Sequence, residues 1–166
     1  MDSWYVLHVL TGKELEVKNI AKKNGFKAFA PRRILREQKN GVWKNVERIL
    51  IPGYVFIQTE MTSDNYYKIE AIPGIINILR GASAHPEPVL ENEMKVIFGL
   101  TRDSDLVGIS DIYYEGQNIK VFSGPLEGLE GNIVKVDKRQ FRAKVKFIVA
   151  GNEKIVELGI NVLNKA

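Results

Sequence analysis

The chain has 166 residues, a hydrophobic fraction of 45%, no cysteine and a formal net charge of +4. That length and apolar content suit one or two small folded domains. The missing cysteines exclude disulfides, thiolate metal sites and a cysteine nucleophile, and they fit a reducing compartment such as the cytoplasm.

The opening "MDSWYVLHVL" has no basic segment ahead of its apolar run, so a secretory signal is not expected. No apolar stretch approaches the roughly 20 residues that span a bilayer. "SWYVLHVL" (3–10) is apolar on both faces and predicts a buried central strand. Thr11 and Glu14 have capping-box spacing, Leu15, Val17, Ile20 and Ala21 form a helical stripe, and Asn24-Gly25 closes the helix. Beyond Pro31, Asn40-Gly41 sits between partly alternating segments and predicts a hairpin. A strand follows over 51–60, then a short helix over 63–72 capped by Ser63 or Asp64. Pro73-Gly74 turns into "IINIL", and a last helix covers 91–100. This order predicts an α+β sandwich, an antiparallel or mixed sheet flanked by helices.

From 101 the helical period disappears. "QNIKVF", "NIVKVD", "RAKVKFIV" and "KIVELGI" are short strands separated by turn signals, which predicts a small all-β barrel. The boundaries are an N-terminal domain over 1–103, a linker over 104–112 and the barrel over 113–166. Gly124, Gly128 and Gly131 crowd the turn between two of these strands. Glycine there permits positive φ and close backbone approach.

"GQNIKVFSGPLEGLEGNIVKV" resembles the KOW motif of transcription elongation factors and ribosomal proteins. "WYVLHVLTGKELEVKNIAKKNG", "LIPGYVFIQTEMTSDNYYKIEAIPGIINIL" and "PEPVLENEMKVI" resemble the N-terminal domain of the NusG family of transcription elongation factors. The combined resemblance covers nearly the whole chain. It implies a bacterial factor that binds the clamp region of RNA polymerase and suppresses pausing.

Strand alternation places Ile51, Val55 and Ile57 on one side and Pro52, Tyr54 and Phe56 on the other. Aromatics are most often core, yet the matching strand of the family forms its polymerase site. The resemblance therefore implies Tyr54 and Phe56 as polymerase contacts, and the expected polymerase-binding set adds Tyr5, His8, Pro52 and Tyr66, with the tyrosines and Phe56 converging on an apolar pocket. Two basic clusters stand out. Lys135, Lys138, Arg139, Arg142, Lys144 and Lys146 are six bases within twelve residues, with Asp137 the only acid among them. They form the expected RNA-binding face, with Phe141 positioned to stack on a base or anchor the loop. Arg32, Arg33, Arg36 and Lys39 surround the hairpin and are the expected DNA-binding set. Solvated surface charge is the competing explanation for both clusters.

No Ser-His-Asp set, metal-ligand spacing or phosphate-binding loop is present, so no enzyme, metal or cofactor is expected. The charged barrel loop and basic hairpin resemble a specialised NusG paralogue, an antiterminator of the LoaP kind recruited by structured leader RNA. The RfaH kind, recruited by non-template DNA, and a general NusG factor are alternatives. A ribosome-associated KOW protein is a lower one. The barrel is also a place for a ribosomal small-subunit protein or a termination factor to bind. A monomer in the cytoplasm is expected, without membrane association.

Overall fold

The computed structural model describes residues 1–82 and 84–164. In chain order its elements are β1 (Ser3–Val9), α1 (Glu14–Lys23), β2 (Lys27–Phe29), β3 (Arg32–Lys39), β4 (Val42–Ile49) and β5 (Tyr54–Thr59). There follow α2 (Ser63–Glu70), β6 (Ile75–Ile78), α3 (Glu91–Thr101), β7 (Leu106–Val107) and β8 (Ser110–Glu115). The last strands are β9 (Asn118–Ser123), β10 (Ile133–Asp137), β11 (Arg142–Val149) and β12 (Asn152–Val162). The chain forms two compact units. One comprises Met1–Pro31, Ile51–Lys95 and Ile148–Asn152; the other comprises Arg32–Leu50, Val96–Phe147 and Glu153–Ala166.

The first unit is built on a sheet of order β2-β5-β1-β6, antiparallel throughout. Tyr5, Leu7 and Val9 of β1 share a buried cluster with Val55 and Ile57 of β5, Val17 and Ala21 of α1, and Ile69 of α2. The odd-numbered positions of both strands therefore face these two helices, as period-2 geometry requires. The Thr11–Glu14 capping box does not form. Lys13 is the N-cap residue and makes no side-chain cap bond. The buried Glu14 carboxylate instead accepts from the Gly12 and Gly53 N–H groups, both at 2.8 Å. It ties the β1–α1 turn to the turn before β5. Thr62, rather than Ser63 or Asp64, caps α2, its Oγ1 accepting from the Asn65 N–H.

The second unit combines the β3–β4 hairpin with a curled five-stranded sheet of order β10-β11-β12-β8-β9. The hairpin turns at Asn40 (φ 53°) and Gly41 (φ 78°), and Lys39 faces Val42. Two positive φ values in a two-residue turn match the strand twist of a tight hairpin. Ala143, Val145 and Phe147 of β11, Val156, Leu158 and Ile160 of β12, Ile112 and Leu126 are buried. Residues 104–112, expected as a linker, hold β7, which pairs parallel to β3, and the start of β8, which pairs parallel to β12. The hairpin, expected with the first domain, belongs to the same compact unit as the barrel strands. Positions 165 and 166 of the expected barrel lie outside the described residues.

Glycine chemistry explains how the hairpin meets the barrel. A Cβ at Gly159 would lie 2.5 Å from the Ile34 carbonyl oxygen, so β3 crosses β12 where no side chain intervenes. Gly124 has φ +109°, and a Cβ there would lie 2.6 Å from Ser110 Cα. Gly131 has open space and no positive φ. Of the crowded glycines, Gly124 answers to both conformation and space, and Gly131 to neither.

Candidate functional site

Strand register divides the expected polymerase set. Tyr5 pairs with Ile57 and lies in the cluster beneath α1 and α2. His8 pairs with Tyr54, on the opposite face, with the two rings 6.4 Å apart at 75°. The convergence of Tyr5 with Tyr54 and Phe56 therefore does not occur, because odd and even positions of paired strands point to opposite sides. Burial also pushes the Tyr5 phenol above its ordinary pKa. Phe56 is 0% exposed and packs against Phe29, so it offers no surface, and Tyr54 is only 8% exposed. Tyr66 packs on the α1–α2 cluster, and its hydroxyl accepts from Arg80 at 2.9 Å. Its ring meets that of Tyr67, which is 70% exposed. The accessible members of the set are Pro52, which is exposed, and His8 and Tyr66, which are partly so.

The barrel cations divide as well. Along β11, Ala143, Val145 and Phe147 point inward while Lys144 and Lys146 are exposed. Lys135 of β10 stands directly opposite Lys144. Like charges in that position repel and destabilise a sheet. Lys138 and Arg139 are exposed on the connecting loop, with the Lys138 ammonium 4.4 Å from the centroid of Tyr114. The Asp137 carboxylate accepts from the Arg139 and Gln140 N–H groups, fixing that loop. Lys146 lies 4.0 Å from Glu153, an exposed pair of small energetic weight.

Arg142 does not belong to this exposed set. Its partly buried guanidinium lies 3.5 Å from Glu157, 3.5 Å from the Arg36 carbonyl oxygen and 3.9 Å from Glu37. The hairpin arginines are engaged in the same way. Arg32 pairs with Glu47 and Asp105. Arg33 donates to the Glu157 carbonyl oxygen at 2.5 Å, and burial lowers its pKa. Arg36 donates to Asn161 Oδ1 at 3.3 Å and stacks 4.0 Å from the Phe141 ring centroid. Two of the four expected DNA contacts, Arg33 and Arg36, thus hold β3 to β12, while Arg32 is held by β4 and by Asp105 ahead of β7. Lys39 remains exposed beside the hairpin turn.

Phe141 adopts φ +58°, an unfavourable conformation for a bulky residue. Its carbonyl accepts from the Ile160 N–H at 2.9 Å. Trp43 meets its ring edge-on, with centroids 5.1 Å apart at 90°. Sequence reasoning missed Trp43. The signal available was the lone aromatic of the two hairpin strands, set beside Lys44 in a strand that also carries Glu47 and Arg48.

Among the described residues, no cluster of His, Cys, Asp and Glu could hold a metal, and no helix is long and apolar enough to cross a membrane. A family model described as "Transcription termination factor nusG" matches residues 2–98. Transcription termination/antitermination protein NusG of Rickettsia prowazekii is 30% identical over 98% of this chain and 90% of that protein. The Bacillus subtilis protein of the same name is 30% identical over 98% of each. This chain belongs to the NusG family. NusG proteins are transcription termination and antitermination factors. A solved NusG structure, described as "Domain interaction in Thermotoga maritima NusG", matches with a TM-score of 0.56. It is 24% identical and covers 96% of this chain and 94% of that one, which supports a NusG fold with a KOW-type barrel.

Proposed function

We propose that this NusG-family chain is a processive antitermination factor that rides on RNA polymerase and is recruited by structured leader RNA. Members of the family act with RNA polymerase. On this reading, Pro52, His8 and the edge of Tyr54 supply the polymerase contact. The RNA contact is the outer face of β10–β11 and its loop: Lys135, Lys138, Arg139, Lys144 and Lys146. The carrying observation is the direct opposition of Lys135 and Lys144. An arrangement that repels within the protein is compensated when a polyanion lies across it.

The test is transcription in vitro on a template with a leader hairpin ahead of a terminator. The protein should raise read-through. Lys144→Glu with Lys146→Glu should abolish that gain while polymerase capture persists. Pro52→Glu should abolish both. Read-through that depends on the non-template strand and ignores the lysine reversals would place recruitment on DNA. A gain without any leader hairpin would favour a general elongation factor, the second reading. That reading is supported by 30% identity to NusG proteins along 98% of the chain.

A further inference from the structure

Beside the lysine face, the second unit contains a cleft of about 420 Å³ between the hairpin and the β10–β11 loop. That volume falls within the roughly 300–1,000 Å³ common for small-ligand pockets. Trp43 lines it, braced edge-on by Phe141, whose own ring is held by the Arg36 guanidinium. The charged groups of its floor are already matched. Glu37 accepts two hydrogen bonds from Arg48, at 3.0 and 2.8 Å, and Arg142 lies between Glu37 and Glu157. Its remaining lining groups are Gln38, Gln140 and the exposed Arg139.

We infer that this cleft receives a single unpaired purine extruded from the RNA, stacked on Trp43 and read along its edge by Gln38, Gln140 and Arg139. The inference rests on the RNA-binding reading of the adjacent face and specifies what that face recognises. Sequence-specific RNA recognition uses unstacked bases from loops and bulges, laid on aromatic rings and hydrogen-bonded at their edges. Side-chain amides suit the paired donor and acceptor of adenine, and arginine suits the two acceptors of guanine. The left-handed Phe141 is a local cost that braces the Trp43 platform, and such outliers concentrate at ligand sites. Continuity with the backbone-binding face follows from strand geometry. Arg142, on the cleft floor, and Lys144 share a face of β11 about 6.8 Å apart.

The test uses the full chain and three RNA hairpins with one common stem: fully paired, bulged with a single 2-aminopurine, and bulged with a single uridine. The purine bulge should bind about 5- to 150-fold more tightly than the paired hairpin, the range for stacking one base on an aromatic side chain. Its fluorescence should be quenched on binding. Trp43→Ala should remove that preference and leave paired-hairpin affinity unchanged. Gln38→Ala with Gln140→Ala, both on the surface, should bring purine and uridine bulges to equal affinity. This pair carries the test if Trp43→Ala does not fold. Equal affinity for all three hairpins in the parent protein overturns the inference, as does a Trp43→Ala loss shared by paired and bulged RNA. Free AMP that occupies the cleft while the bulged hairpin shows no preference also overturns it, and identifies a nucleotide site instead. Lys144→Glu with Lys146→Glu separates the two levels. If these reversals weaken all three hairpins and no bulge preference exists, the cleft inference falls and the RNA face stands. If RNA affinity ignores them, both fall.

Discussion

Gly159→Ala isolates the closest approach between the hairpin and the barrel strands. Gly159 has no positive φ, so alanine is conformationally acceptable. In a strand it should even gain about 0.5–1 kcal/mol from reduced unfolded-state entropy. Against this stands a Cβ placed 2.5 Å from the Ile34 carbonyl oxygen and 3.1 Å from Ile109 Cγ1. A backbone oxygen cannot rotate away. Either the strands strain, at about 1–3 kcal/mol, or β3 lifts from β12. Lifting would weaken the Arg33 bond to the Glu157 carbonyl and the Arg36 bond to Asn161. Bonds from charged donors contribute about 1.5–3 kcal/mol each. With the unyielding oxygen placing the strain in the upper half of that range, and the entropic gain subtracted, the net loss should be about 1–2.5 kcal/mol, read as a lower urea midpoint of the full chain. Gly131→Ala, with open space around it, is the control and should leave the midpoint unchanged or raise it slightly. A Gly159→Ala protein as stable as the parent would refute the close approach and the hairpin placement built on it.

Gly124→Ala should cost about 2–4 kcal/mol in the same assay, because positive φ and the Ser110 backbone both oppose a side chain there. Arg142→Ala should lower the urea midpoint by the equivalent of about 1–3 kcal/mol, since it leaves Glu37 and Glu157 without a shared partner. Lys144→Ala should preserve or raise the midpoint by relieving its opposition to Lys135. The Tyr5 phenol has a raised folded pKa, so its contribution to stability is intact below its ordinary value of 10.0 and is lost as pH rises through the folded value. Tyr5→Phe should therefore lose less stability than the parent above about pH 10, measured by urea denaturation across an alkaline series.

The parts of the fold written in local chemistry were legible in the sequence. Asn40-Gly41 specified the hairpin turn, and the alternation from Arg142 to Val149 specified a strand with lysines outside. The face of β1 was not legible, because "WYVLHV" is apolar on both sides and hides its parity. Its register against β5 decides that Tyr5 lies beneath the helices. The arginines misled for a different reason. Arg33 and Arg36 meet groups 124 and 125 positions away, and only a glycine on β12 admits that approach. Pairings at such separation leave no local pattern, so basic residues that hold the hairpin in place looked like a free cationic arm. Trp43 and Phe141 belong to the same class, distant in sequence and in edge-on ring contact.

The central claim is that the exposed cations on the outer face of β10–β11 hold an RNA backbone. The most direct measurement is the salt dependence of RNA hairpin affinity for the full chain and for the variant with Lys144→Glu and Lys146→Glu. Contact with about four phosphates predicts a log–log slope of about −3 to −4 for the parent. The reversals should make that slope shallower by about 2 and weaken binding at every salt concentration. A slope that is the same in both proteins would contradict the account.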